Sequence, residues 1–553
     1  MNRIILILFL SLFARPVFSQ DGELPEEQIL IQKDRKIVLP ERPGPEEKIN
    51  LNLKPLPKAA QKFTYRDFGI NLPPVDPRIQ SPVFYPAPEA RVKQGFVRLA
   101  AGNYGSSELD AWYNSGRQKD FAYGLNLRHM ASANGPVANS GFSNNALGAN
   151  CIYFTPSFTL DGNLRYNRDR YNFYGYDQEK SPNRKADSTR QLFHSVWFRL
   201  NLNAREKEKA KLHWKGGLSI GNLSDAFRAS ESEVLLDAAG RYRLSDSSSL
   251  NLFTDFSLLK RSDSVDQNRA LWRLQPEYKF RIRGFRIDAG FQLSLVSEPI
   301  LQKNNSFLNE SSFHIHPRLN MELALAEEKL KAFAGISGGM NRNSLRSHVE
   351  QNPFLMADVY LRHENQLLSI FLGFRGAHKG ILQYHSKFAF DKINHLAFYQ
   401  NTDTLVREKF RIVYDSGATR RVTWETEAVY DPGKGSRAGI RFVYHGYNLS
   451  GPGEAWHLPR TRATVFGSLP LAENLSLAAE FFYIGGVRAR NPRSLLTEKL
   501  PGIADLNLKC EYRFKTNFSA FLSLHNILNN KNPRFLYYPG QGFRLMVGGS
   551  ALF

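Results

Sequence analysis

The stretch 506-LNLKCEYRF-514 decides the fold. Its even positions, Leu506, Leu508, Cys510, Tyr512 and Phe514, are apolar or aromatic, while its odd positions, Asn507, Lys509, Glu511 and Arg513, are polar or charged. A period of two places these sets on opposite faces of an extended strand. One face suits lipid and the other suits water.

The dyad recurs along the chain. From Trp272 to Ile282, Trp272, Leu274, Pro276, Tyr278, Phe280 and Ile282 alternate with Arg273, Gln275, Glu277, Lys279 and Arg281. From Phe313 to Leu323, His314, His316, Arg318, Asn320 and Glu322 fall opposite Phe313, Ile315, Leu319, Met321 and Leu323. Soluble sandwiches alternate too, but they seldom repeat long faces this rich in charge. A strand crossing a bilayer needs about ten such residues and a closed sheet, because lipid offers backbone groups no partners.

Connections alternate between tight ones, such as Arg117–Asp120, Arg205–Glu208, Ser245–Ser247 and Phe514–Thr516, and longer ones, such as Ala131–Asn144, Ser297–Ser311 and Ala489–Pro501. Outer-membrane barrels put the short turns in the periplasm and the long loops outside. Counting from Gly95–Gly102 to Phe543–Phe553 gives about 22 strands, with 14 to 22 compatible with the same pattern. The stretch Pro353–Lys379 reads either as one long strand or as a loop and a strand. An average repeat of about 21 residues leaves only modest loops. The expected fold is all-β, a transmembrane antiparallel barrel over residues 93–553.

Upstream, Met1-Asn2-Arg3, the apolar run Ile4–Phe13 and Val17-Phe18-Ser19 have the pattern of a cleaved signal peptide, residues 1–19. Ten or so apolar residues are too few to span as a helix, and no later run reaches eighteen. Residues 20–92 are Pro-rich, and we expect an extended periplasmic arm. Within it, Ile29, Ile31, Ile37, Leu39, Phe63, Tyr65 and Phe68 are candidate partner contacts, able to add to a sheet edge.

The formal net charge is +21. Residues 21–92 carry 11 basic and 11 acidic side chains and the signal adds two Arg, so about +19 belongs to residues 93–553. Export makes nucleic acid an unsuitable partner; outer-membrane lipid, lipopolysaccharide or an anionic solute fits better. Cys151 and Cys510 read as unpaired small apolar residues. No nucleophile elbow, zincin motif, phosphate loop or Cys/His cluster occurs, so neither an enzyme nor a cofactor or metal site is expected. His314 and His316 share a face, but lumen histidines among charges are ordinarily solvated. Candidate lumen-lining residues are Arg273, Lys279, Arg281, His314, His316, Arg318, Glu322, Lys509, Glu511 and Arg513.

The end of the chain resembles the TonB-dependent receptor barrels of Bacteroidetes. Leu506-Asn507-Leu508-Lys509, the segment Leu522–Asn530, Tyr538-Pro539-Gly540 and the glycine-containing last strand carry that resemblance. The aromatic Phe553 is similar to the terminal signal that barrel-assembly machinery reads. The resemblance implies a 22-stranded receptor-like barrel, but receptors of that family carry a folded plug ahead of it, and residues 21–92 are too short for one. The expectation is therefore a plugless barrel in the outer membrane, an accessory subunit of an envelope complex for protein assembly or secretion. A passive, porin-like channel for small anions is the alternative, ahead of energised uptake.

Overall fold

The computed structural model describes residues 93–553 apart from 117–119, 206–209, 265, 302–306, 327–328, 402–406 and 434. The expected signal peptide and arm, with Ile29, Ile31, Ile37, Leu39, Phe63, Tyr65 and Phe68, lie outside the described residues.

The strands are β1 (Gly95–Gly102), β2 (Ser106–Asn114), β3 (Phe121–Ser132), β4 (Phe142–Phe154), β5 (Phe158–Asn172), β6 (Arg190–Ala204) and β7 (Leu212–Ser224). They continue as β8 (Ser230–Arg243), β9 (Ser248–Ser262), β10 (Gln267–Ile282), β11 (Phe285–Leu301), β12 (Phe307–Ala326), β13 (Leu330–Asn341), β14 (Glu364–His378) and β15 (Leu382–Asn394). Two short hairpins, β16 (Ala397–Gln400) with β17 (Arg411–Tyr414) and β22 (Arg488–Arg490) with β23 (Thr497–Lys499), sit within connections. The remaining wall strands are β18 (Thr419–Gly433), β19 (Ser436–Asn448), β20 (Thr461–Ala472), β21 (Leu475–Gly485), β24 (Ile503–Lys515), β25 (Phe518–His525) and β26 (Arg544–Leu552).

Twenty-two strands form one antiparallel sheet that closes on itself where β1 pairs with β26, from Phe96↔Leu552 to Gly102↔Met546. Closure removes the two edges that lipid could not satisfy. The Phe553 carbonyl accepts the backbone N–H groups of Gln94 and Gly95 at 2.8 and 2.9 Å, which completes the seam. Outward positions carry the exposed apolar belt, for example Leu252, Phe256 and Leu258 on β9 and Leu545 and Val547 on β26. Both cysteines are free.

Gly548 marks how tightly the seam is packed. A Cβ there would come within 2.3 Å of the Leu99 carbonyl oxygen and 2.5 Å of the Phe521 ring. Gly548→Val is expected to destabilise the closed barrel by about 1–3 kcal/mol, seen as a smaller heat-modifiable fraction on a semi-native gel; an unchanged fraction would show that the seam yields.

Two readings of the connections need correcting. Ser297–Ser311 is mostly strand, because β11 runs to Leu301 and β12 starts at Phe307. Nor are the loops modest: 342–363, between β13 and β14, is long and folded, and so are the described residues of 395–418, between β15 and β18. An average repeat conceals this, because tight turns such as Arg283-Gly284 leave the surplus to a few connections on the other end. The ambiguous Pro353–Lys379 resolves into a loop followed by β14.

Candidate functional site

The long connections fold over the mouth at their end of the barrel and pack into a common core. Phe173 comes from the β5–β6 connection, Leu345, Phe354, Leu355, Val359 and Leu361 from β13–β14, Tyr399 and Phe410 from β15–β18, and Phe535 and Tyr538 from β25–β26. The Phe354 and Tyr538 rings stack at 3.7 Å between centroids, and Tyr174 meets Tyr538 edge-on at 4.7 Å. These contacts reach across the barrel. The β5–β6 and β15–β18 connections leave the wall ten strands apart in a ring of twenty-two, yet Arg184 pairs with Glu408 at 2.9 Å and the Lys409 ammonium stands 5.0 Å from the Phe173 ring. The connections therefore form a lid that bridges the full width of the mouth.

Charged groups fasten the lid to the wall. Arg269 of β10 and Glu231 of β8 are both buried and pair at 2.5 Å. Glu231 also accepts the Leu345 backbone N–H at 2.6 Å, and Arg269 donates to the Asn343 carbonyl at 2.8 Å. Arg342 pairs with Glu233, and Arg362 with Glu298 at 2.7 Å. Arg261 of β9 donates to the carbonyls of Val359 and Ala357, and Arg346 lies 4.0 Å over the Trp197 ring of β6. A buried guanidinium is tolerable only where carboxylates and carbonyls use its donors.

Histidines in the lid are neutral at neutral pH. Burial, helped by the nearby Arg269, holds His348 down to about 3, and burial holds His457 down to about 4. Each binds its proton more readily when released than when buried, so the lid is most stable above pH 6.5 and loses stability as pH falls from 6.5 toward 4. Trypsin cleavage within 342–363, normalised at each pH to that of an unfolded substrate because the protease itself slows in acid, is accordingly expected to rise between pH 7 and pH 5; an equal normalised rate at both would mean these histidines are not held neutral.

The candidate lumen residues lie on the face opposite the exposed apolar belt, in three groups, of which the second adjoins the first on β12 and the third stands apart on β24. In the first, Arg273 pairs with Asp255 at 2.8 Å, Arg318 with Glu277 at 2.9 Å, and Lys279 lies 3.4 Å from Glu277 and 3.8 Å from Asp288. Arg281 stands directly opposite Arg286, and Glu322 pairs with Arg375. In the second, His316 shares a 2.8 Å hydrogen bond with Asn365, with its ring stacked 6.0 Å from that of His314. In the third, Lys509 pairs with Glu511 at 2.9 Å and Arg513 is exposed. Nothing gathers them into one centre, and among the described residues no three His, Cys, Asp or Glu side chains converge on a metal position.

Glu231, Glu233, Arg261, Arg269 and Glu298, which grip the lid, were missed by sequence reasoning. They occupy inward positions of their dyads, and that much was readable, but their partners are carbonyls and side chains of loops 64 to 114 residues away.

A closed, 22-stranded barrel with an apolar outer belt, short turns at one end and folded loops at the other is the architecture of an outer-membrane β-barrel. Solved structures bear this out at the level of fold. The chain matches the FrpB iron transporter from Neisseria meningitidis (F5-1 variant) with a TM-score of 0.65 and 10% identity, over 83% of this chain and 82% of that one. It matches the ferric-catecholate import receptor Fiu from E. coli K12 with 0.62 and 9%, over 84% and 82%, and the siderophore receptor PirA from Acinetobacter baumannii with 0.64 and 10%, over 84% and 81%. No protein-family model and no curated relative matches the sequence. The barrel is thus TonB-dependent-receptor-like in fold and belongs in the outer membrane.

Proposed function

We propose that this protein is a receptor-like outer-membrane barrel whose mouth is shut by its own loops, and that it serves as a structural or accessory subunit of an envelope complex for outer-membrane protein assembly or secretion. The observation that carries the reading is the lid, cored by Phe354, Phe410 and Tyr538 and tied to the wall through Arg269–Glu231. A wall clamped to its lid by buried charges suits a rigid platform better than an open pore. In this reading the long loops face outward, residues 1–19 are a signal peptide, and the Pro-rich stretch 20–92 reaches periplasmic partners without forming a plug.

The test is a pull-down from outer membranes with the full chain and with a chain lacking residues 21–92. Partners recovered only by the full chain support the reading; the same set recovered by both removes the arm as the contact. A second reading, a gated path for small anions, is favoured by the basic wall below the lid, where Arg281, Arg286 and Arg513 face inward. Transport of iron or copper compounds, as named for the structural neighbours FrpB and OprC, would require the lid to open.

A further inference from the structure

At the short-turn end, away from the lid, the inner wall of β8 to β11 holds a depression of about 470 Å³. Arg241, Arg243, Lys279, Arg281 and Arg286 line it, with the serine-rich turn Ser245–Ser249 as its floor and Asp246 as its only carboxylate among the described lining residues. Carboxylates just outside partly balance this charge, and Glu322 of β12 stands opposite Arg286 on the side away from Arg281. Lys279 is shared by Glu277 and Asp288, and Arg286 lies 3.6 Å from Asp288. Arg243 and Arg281 have no carboxylate within ion-pair distance among the described residues.

The register makes the imbalance costly. Arg281 and Arg286 are directly opposite one another on neighbouring strands, and like charges so placed destabilise a sheet. Arg243 and Lys279 occupy the same row, each facing Ser249 across one strand spacing, and so stand roughly 10 Å apart along the wall, with Arg281 and Arg286 in the row two residues nearer the turn. Hydroxyls face the same space, with Ser245 and Ser248 hydrogen-bonded at 2.8 Å and Ser245 and Ser247 at 3.2 Å. Converging guanidinium and hydroxyl donors around a surplus of positive charge match a tetrahedral oxyanion of multiple charge, whose oxygens accept from several directions at once.

We propose that this depression binds phosphate groups. Its volume exceeds what a single orthophosphate fills and falls in the range of organic ligand sites, so the ligand carries more than one phosphate or a phosphate on a larger body. Either a soluble phosphorylated compound or a phospholipid headgroup supplies that chemistry.

The test uses the full chain in phosphatidylcholine nanodiscs, titrated calorimetrically with pyrophosphate. Saturable binding is expected, weakened about tenfold or more when Arg243→Gln and Arg281→Gln are combined, since each removes a charge-assisted donor. Arg165→Gln, on the inner face of β5, is expected to bind as the unaltered protein does. Heat-modifiable mobility establishes that each variant is a closed barrel. Adding phosphatidylglycerol to the nanodiscs separates the sources: weaker pyrophosphate binding identifies the lipid headgroup, and unchanged binding a soluble phosphate. Wild-type affinity in the double variant, or an equal loss in Arg165→Gln, would overturn the proposal.

Discussion

Arg269→Ala is expected to turn a silent barrel into a conducting one. The substitution leaves Glu231 buried beside Leu345 with its charge uncompensated, and removes the donor that holds the Asn343 carbonyl. Breaking one side of a buried pair costs about 3–5 kcal/mol, and here the cost falls on the connection 342–363 and not on the sheet, whose backbone ladder does not involve these groups. The lid should detach at this anchor, exposing Arg342, Arg346 and Arg362 to trypsin and opening current across a planar bilayer. Adding Glu231→Gln should restore part of the closure, because it removes the stranded charge. A singly substituted barrel that stays silent and uncut would show that the remaining anchors suffice.

Tyr538→Ala is expected to have a comparable effect by a different route. Tyr538 is buried against Phe354, Tyr174 and Phe410, three rings from three other connections, and its hydroxyl donates to the Glu408 carbonyl. Truncation removes the ring that joins them and leaves a cavity they cannot all fill, a loss of about 3–5 kcal/mol. Conductance and protease sensitivity should rise as for Arg269→Ala, while the heat-modifiable barrel persists. Loss of the folded barrel itself would mean that the lid core is needed for wall assembly. Phe354→Ala removes the other half of the 3.7 Å stack and should act nearly non-additively with Tyr538→Ala.

The wall was legible in the sequence and the lid was not, for a physical reason. A strand at a lipid boundary is constrained residue by residue, so Leu506–Phe514 and Trp272–Ile282 announce their faces locally, and a repeat of such segments even counts to 22. The lid obeys no period. Phe354, Tyr399, Phe410, Phe535 and Tyr538 look like ordinary loop aromatics until the chain closes and brings together residues as far apart as Tyr174 and Tyr538. Long-range pairing also separates the lumen residues named from sequence. Arg273 proved to donate to the Met340 carbonyl of β13 as well as pairing with Asp255, whereas Arg281 is left facing another arginine.

In this structure the folded connections, and not the width of the wall, are what would decide whether the barrel passes solute. Single-channel recording at pH 7 tests it most directly, comparing the full chain with a variant in which residues 344–361 are replaced by a short Gly-Ser link. A silent full-length barrel is expected, with a steady, wide conductance once that segment is gone. A full-length barrel that conducts as freely as the shortened one would contradict it.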